Sequence, residues 1–497
     1  MAICLIIIDF FGNFAAVNDK RVMNKIDSKR PHLPIWLSMV PLLLLVAMVV
    51  VTIRTFGSDS LSGATQVVLL AASAVCCIIG IIYGNVPWKD FEAAITRNIS
   101  SVSTALIILL LIGALGGAWM ISGVVPTMIY YGVSIINPDV FLATTCIISA
   151  LVSVMTGSSW TTIATIGVAL MGIGKAQGFE EGWIAGAIIS GAYFGDKISP
   201  LSDTTVLAAS SCGVNLFAHI RYMMVTTVPS ITIALVVFAV AGISNESAGT
   251  EHLDLFRHAI EERFTVSGWL MVVPALTALM IARKVPALVT LFAASLLGIV
   301  FALVFQLPLV EEVAGGDIVA GMMKMVYGST SIVTSNEMLT ELVATRGMTG
   351  MMPTVWLILC AMCFGATLTA GGMTDGITRL FKTISRGRTS SVASTVFSGI
   401  TLNLATSDQY LSILLTGNVF RGIYDQRGLE HRLLSRSTED SATVTSVLIP
   451  WNTCGMVQST VLGVATLTYL PFCLFNLVSP FMSILVAATG YKIRKKS

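Results

Sequence analysis

Long apolar runs set the frame of this chain. A helix crossing hydrocarbon needs about 20 apolar residues, and stretches of that kind occur at 35–53, 66–84, 104–125, 140–155, 220–243, 268–282, 285–306 and 353–372, with two more between 459 and 491. Between them lie shorter apolar pieces interrupted by glycine, serine, threonine and aspartate, at 160–174, 183–212, 390–404, 411–420 and 441–455. Pieces of half length predict re-entrant or broken helices rather than full crossings. Residues 1–34, with Lys20, Arg21, Lys25, Lys29 and Arg30, read as a cytoplasmic tail. The charged stretch 244–266 reads as a connector between a first half, 35–243, and a second half, 267–497.

Composition narrows the class. The chain has 497 residues, 55% of them hydrophobic and only 11% charged, with mean hydropathy +0.84. Soluble domains carry about 25% charged residues, so this is a polytopic membrane protein surrounded by lipid. A net charge of +2 without a basic, aromatic-studded stripe excludes a nucleic-acid partner. The nine cysteines fall mostly within apolar runs and read as small core residues, and no resident cofactor is expected.

One stretch departs sharply from its apolar surroundings. Residues 190–213 read SGAYFGDKISPLSDTTVLAASSCG, placing Asp196, Lys197, Ser199, Ser202, Asp203, Thr204 and Thr205 around Pro200. Ionisable groups at membrane depth are costly enough to mark a function. Proline lacks an N–H and crowds the carbonyl four residues earlier, so the helix is expected to break at Pro200 and free the Asp196 carbonyl. Pro450 is expected to do the same for Ser446, with Asn452 close behind. Freed carbonyls, carboxylates and hydroxyls form a hard-oxygen site for a small cation. Lys197 reads as a counter-charge for the empty site or, the preferred reading, as a side chain that snorkels to the water layer; His219 reads as a pH-sensing group or, more commonly for such a position, an interfacial anchor.

The two halves match in sequence. EAAITR at 92–97 recurs as ELVATR at 341–346, and GAWMISG at 117–123 as GATLTAG at 365–371. TGSSW at 156–160 faces TSDQY at 406–410, Asp196 faces Asp440, and Cys212-Gly213 faces Cys454-Gly455. Repeat 1 thus covers about 88–213 and repeat 2 about 337–455. The loop 126–138 has no Lys or Arg, whereas its image carries Arg379, Lys382, Arg386 and Arg388. The positive-inside rule puts the two on opposite sides. The predicted fold is therefore an all-α polytopic membrane protein of inverted structural repeats, with re-entrant hairpins and broken transmembrane helices meeting at the midplane.

Four polar breaks should converge there. The ion-contacting candidates are Ser158, Asp196, Ser199, Asp203 and Thr204 from the first half, and Ser407, Asp408, Asp440, Thr443 and Asn452 from the second. Asp196, Asp203 and Asp408 are the expected Na+ carriers. Burial raises a carboxylate's pKa while a bound cation lowers it, so one aspartate holds either a proton or Na+, and that competition suffices for exchange.

The segments GAYFGDKISPLSDTT, TGSSWTT and TSDQY, in this order, resemble the NhaC-type Na+/H+ antiporters of bacteria. The resemblance runs from about residue 35 to the C-terminus. It implies an antiporter of the inner membrane, commonly a homodimer with a scaffold and a moving transport domain, and ion-site roles for Ser158, Asp196, Asp203, Ser407 and Asp408. The family also includes malate–lactate exchangers. An organic-acid substrate needs an anion handle, and no arginine stands within a polar break, which favours exchange of Na+, and Li+ with it, for H+. An intramembrane aspartyl protease is disfavoured, because Tyr193 stands where the GxGD signature needs its first glycine.

Overall fold

A computed structural model of the chain describes residues 33–56, 63–244 and 250–493, side chains from 253 onward in the last of these. The expected N-terminal tail lies almost wholly outside the described residues. Among those residues the fold is helical throughout, with one isolated β-bridge between Thr330 and Thr345. Seven helices are long and apolar enough to cross a membrane: Ile35–Phe56, Ala64–Ile82, Ser103–Ile121, Pro138–Thr156, Leu216–Ser244, Ala287–Phe305 and Thr349–Ala370. Two further pairs, Leu253–Arg263 with Gly268–Ala282 and Thr466–Phe472 with Leu474–Thr489, bend by 92° and 56°. The C-terminal stretch expected to hold two spans contains this second bent pair.

Large apolar side chains such as Leu43, Ile82, Val240, Phe292 and Leu485 remain exposed along these helices, as a lipid-facing surface requires. The interior holds small residues and hydroxyls where backbones approach closely. Gly191 and Gly195 press the helix Glu181–Ile198 onto Phe141–Thr156, so that a Cβ on either would lie 2.1 Å from the Cys146 carbonyl oxygen or 2.4 Å from that of Ala150. The Ser153 hydroxyl ties the same pair by donating to the Ala192 carbonyl at 2.6 Å. Small residues at crossings are how helices associate in lipid, where hydrophobicity alone does not favour contact.

The two stretches read as loops, 126–138 and its image, begin in 12-residue helices, Val124–Ile135 and Met373–Ile384. Each is entered through a left-handed glycine, Gly123 (φ 78°) and Gly372 (φ 77°). That conformation turns the chain without a polar interruption, so hydropathy alone passes over it.

From there the succession of elements recurs. The hairpin Phe141–Thr156 with 159–176 has its counterpart in Arg388–Thr406 with Gln409–Gln426. The broken helix Glu181–Ile198 with Asp203–Ser211 is matched by His431–Thr438, a π-turn Glu439–Thr443, a short 3-10 turn and Thr453–Leu462. Left-handed residues fall at Gly157 and Ser407, Gly178 and Gly428, Gly213 and Gly463, and the two breaks hold Pro200 and Pro450. All four pairs have the same sequence separation. At that constant separation Asp196 stands opposite Ser446 and Gly213 opposite Gly463, whereas the sequence comparison pairs them with Asp440 and Gly455.

Candidate functional site

The hairpin tips are built alike, down to individual hydrogen bonds. In the first, Thr156 Oγ1 accepts from Ser158 N–H at 3.1 Å and lies 3.2 Å from Thr162 Oγ1; Ser158 caps the next helix by accepting from Thr161 N–H. In the second, Thr406 Oγ1 accepts from Asp408 N–H at 3.4 Å and lies 3.0 Å from Ser412 Oγ. Asp408 is the cap there, its Oδ1 accepting from Leu411 N–H at 2.8 Å. Each tip lies against the break that follows it. A Cβ on Gly157 would come within 2.7 Å of Leu201, and Thr453 N–H donates to the Ser407 carbonyl at 2.9 Å.

Where the first tip meets the first break, Asp196 is 4% exposed and encircled by donors. Its Oδ2 accepts from the Ser159 hydroxyl at 2.8 Å and the Ser159 N–H at 3.2 Å, and its Oδ1 from the Ser202 hydroxyl at 2.6 Å. Ser202 Oγ in turn lies 2.9 Å from Thr204 Oγ1. Two hydroxyls thus hold one buried carboxylate, with a third behind Ser202. Hydroxyls rotate and carry lone pairs as well as a proton, so the same groups donate to a bare carboxylate and turn their oxygens toward a bound cation. The Asp196 carbonyl is not free as expected: Ser199 N–H and Thr205 Oγ1 both reach it at 3.3 Å, and Thr205 Oγ1 also donates to the Lys197 carbonyl at 3.0 Å. Thr205, in the first turn beyond the break, folds back over the helix end. The Ser446 carbonyl likewise accepts from Ile449 N–H at 3.4 Å.

The other candidates separate by location. Asp203 is exposed, and its Oδ2 accepts from the Tyr410 hydroxyl of the second hairpin at 2.7 Å, joining the two halves beside Asp196. Ser199 binds the break to the first hairpin through the Val154 carbonyl at 2.8 Å. Asn452 caps Thr453–Leu462 through Cys454 N–H and donates to the Asn403 carbonyl. The Ser407 hydroxyl is buried without a hydrogen-bond partner among the described residues, and the Thr443 side chain is fully buried.

Asp440 stands apart from the Asp196 shell. Its Oδ1 accepts from the Lys197 ammonium and from Thr226 Oγ1 at 3.1 Å, and its Oδ2 lies 3.9 Å from Arg436 Nε. Lys197, Arg436, Glu439 and Asp440 are all fully buried. Lys197 therefore does not snorkel: its ammonium is fully buried, 5.4 Å from the centre of the Phe475 ring. His219 is buried too, its Nδ1 2.8 Å from Ser435 Oγ. Sequence reading assigned Arg436 to a loop and passed over Glu439. The strongest cue was available in SRSTEDSATVTS itself, where seven ionisable or hydroxyl residues, 435–441, follow one another without interruption. Ser159 and Tyr410 stood inside the quoted motifs but were not singled out as ligands.

Two segments of the chain, 32–215 and 191–491, match the sequence profile of the Na+/H+ antiporter family. The Na+/H+ antiporter NhaC of Alkalihalophilus pseudofirmus is 37% identical over 85% of this chain and 90% of its own length. The malate-2H+/Na+-lactate antiporter of Bacillus subtilis is 34% identical over 86% of this chain and 89% of its own. The arginine/ornithine antiporter ArcD of Halobacterium salinarum is 30% identical over 92% and 93% respectively.

Proposed function

Because the chain belongs to the Na+/H+ antiporter family, we propose that it expels Na+, and Li+ with it, across the bacterial cell membrane in exchange for external H+, by alternating access at Asp196. The observation that carries this is the Asp196 shell: a buried carboxylate at a helix break, held by the hydroxyls of Ser159 and Ser202 with Thr204 behind. Na+ takes oxygen ligands, and a proton takes the same carboxylate oxygen that Na+ needs. The shell accommodates one or the other, which is the elementary requirement for exchange. Asp203 with Tyr410 closes the shell toward the second half, and Asp408 orients the N-terminus of the helix after its tip. The recurring succession of elements supports an inverted duplication that rocks around this site. We carry forward a cytoplasmic N-terminus and a homodimer as parts of the same proposal.

A second reading, Na+-coupled exchange of small carboxylates, has one observation in its favour. Arg436, fully buried one turn before Asp440, supplies the intramembrane guanidinium that sequence reading found lacking. Sealed proteoliposomes loaded with 22Na+ separate the two. Efflux driven by external NaCl, LiCl or a proton gradient without any organic acid supports cation exchange. Efflux that appears only with external malate and internal lactate assigns the organic-acid reaction instead.

A further inference from the structure

The buried charges beside the Asp196 shell are not explained by cation binding. Lys197 follows Asp196 directly, yet its ammonium points away from that carboxylate and pairs with Asp440 of the other half. Asp440 lies in the π-turn Glu439–Thr443, an insertion that distorts a helix and recurs at functional positions. Arg436 backs the second oxygen of Asp440 and stacks on Tyr222, its guanidinium 4.8 Å from the ring centre. Thr226, on the long helix Leu216–Ser244, donates to the same aspartate. Two cations and two anions, Lys197, Arg436, Glu439 and Asp440, thus lie together away from water.

The duplicated register shows that the fold does not require them. The positions matching Arg436, Glu439 and Asp440 in the first half are Gly186, Ile189 and Ser190, and the position matching Lys197 in the second is Val447. Each half makes its broken helix without these charges in its counterpart. Burying charge is costly even when it is paired, so a set present on one side only and shared between the halves has a role beyond packing.

We propose that the Lys197–Asp440 pair is a coupling lock, an inference that rests on the cation-exchange reading above. Lys197 is one peptide unit from the ion-binding carboxylate, so any backbone shift that opens or closes the Asp196 shell moves its ammonium relative to Asp440. The pair makes the two broken helices travel together, and Lys197 and Asp440 are positioning residues that act through Asp196 rather than touching the ion.

The test uses purified full-length protein, with 22Na+ binding in detergent, thermal unfolding, and 22Na+/H+ exchange in proteoliposomes. Lys197→Met or Asp440→Asn alone leaves a buried charge uncompensated and is expected to lower both stability and exchange. The double variant Lys197→Met/Asp440→Asn removes both charges of the pair and keeps an amide oxygen facing Thr226 and Arg436, so part of the stability lost in either single variant is expected to return. A lock predicts that this double variant binds 22Na+ within about threefold of wild type while exchange stays down by more than roughly tenfold. Exchange at the wild-type rate, or loss of 22Na+ binding together with exchange, overturns the proposal. Should the double variant fail to fold, Lys197→Arg decides, since it keeps the ion pair without placing a second cation beside Arg436: exchange above that of Lys197→Met supports the lock, and exchange no higher overturns it. Asp196→Asn in the same assay keeps the two readings distinct. If it is inactive while the double variant exchanges normally, only the lock falls; if it still exchanges, the Asp196 site falls.

Discussion

Asp196 carries the account at the scale of single residues, because its two oxygens are served by different elements. The Ser159 hydroxyl comes from the hairpin tip and the Ser202 hydroxyl from beyond the break. A hydrogen bond to a charged group contributes roughly 1.5–3 kcal/mol, so losing one hydroxyl weakens the shell without destroying it. Ser202→Ala is expected to raise the KM for Na+ by about tenfold and to lower the unfolding temperature by a few degrees, since it removes both the bond to Asp196 and the cap on Thr205 N–H; a Na+ titration of exchange rate, beside a melting curve, checks both. Asp203→Asn is expected to retain exchange, since its amide oxygen can still accept from the Tyr410 hydroxyl, and an inactive but folded Asp203→Asn protein would move the ion toward Asp203. The carboxylates and Pro200 were legible in the chain because charge and proline are conspicuous against an apolar background. Which partner each aspartate takes was not. Lys197 and Asp196 are neighbours in sequence but face opposite ways from one helix, and only the position of the second half shows that Asp440 completes the first residue and not the second.

At the scale of elements, the hairpin tips depend on left-handed residues pressed against the breaks. Gly157 has φ 66° and no room for a side chain beside Leu201, whereas its counterpart Ser407 holds φ 59° with a side chain in place. A Cβ in the left-handed region costs roughly 1–2 kcal/mol, and at Gly157 it also pushes the break away from the tip. Gly157→Ala is therefore expected to lose most exchange, and Ser407→Gly to keep it; parallel rates for the two variants would contradict the tip geometry. The tips themselves were readable as TGSSW and TSDQY, since glycine, serine and aspartate interrupt apolar runs. The constant separation was harder to find, because what recurs is capping and left-handed positions rather than residue identity. Asp440 drew the alignment away from Ser446 simply by being another aspartate. The short helices entered at Gly123 and Gly372 stayed hidden because a left-handed glycine leaves no trace in hydropathy.

For the whole molecule, the helical membrane architecture followed from the apolar runs, and the buried charge cluster did not. Arg436 and Glu439 carry the polarity of loop residues, and only tertiary packing, against Arg388–Thr406 and Gln409–Gln426 as well as Leu216–Ser244, removes them from water. The proposed inversion of the two halves makes a prediction at this scale. Asp139 and Arg386 are both exposed, and they sit at corresponding turns of the two halves. In cells, Asp139→Cys is expected to react with a membrane-impermeant maleimide added outside, and Arg386→Cys only after permeabilisation. Labelling of both from the same side would rule out the inverted arrangement.

The most direct test of the central claim is Na+-dependent proton flux in sealed proteoliposomes containing a pH-sensitive dye, comparing wild type with Asp196→Asn after addition of NaCl without organic acid. The account predicts a dye response from wild type and none from Asp196→Asn that has been shown to fold. An equal response from both would contradict it, and would place the exchanged ion somewhere other than the break after Asp196.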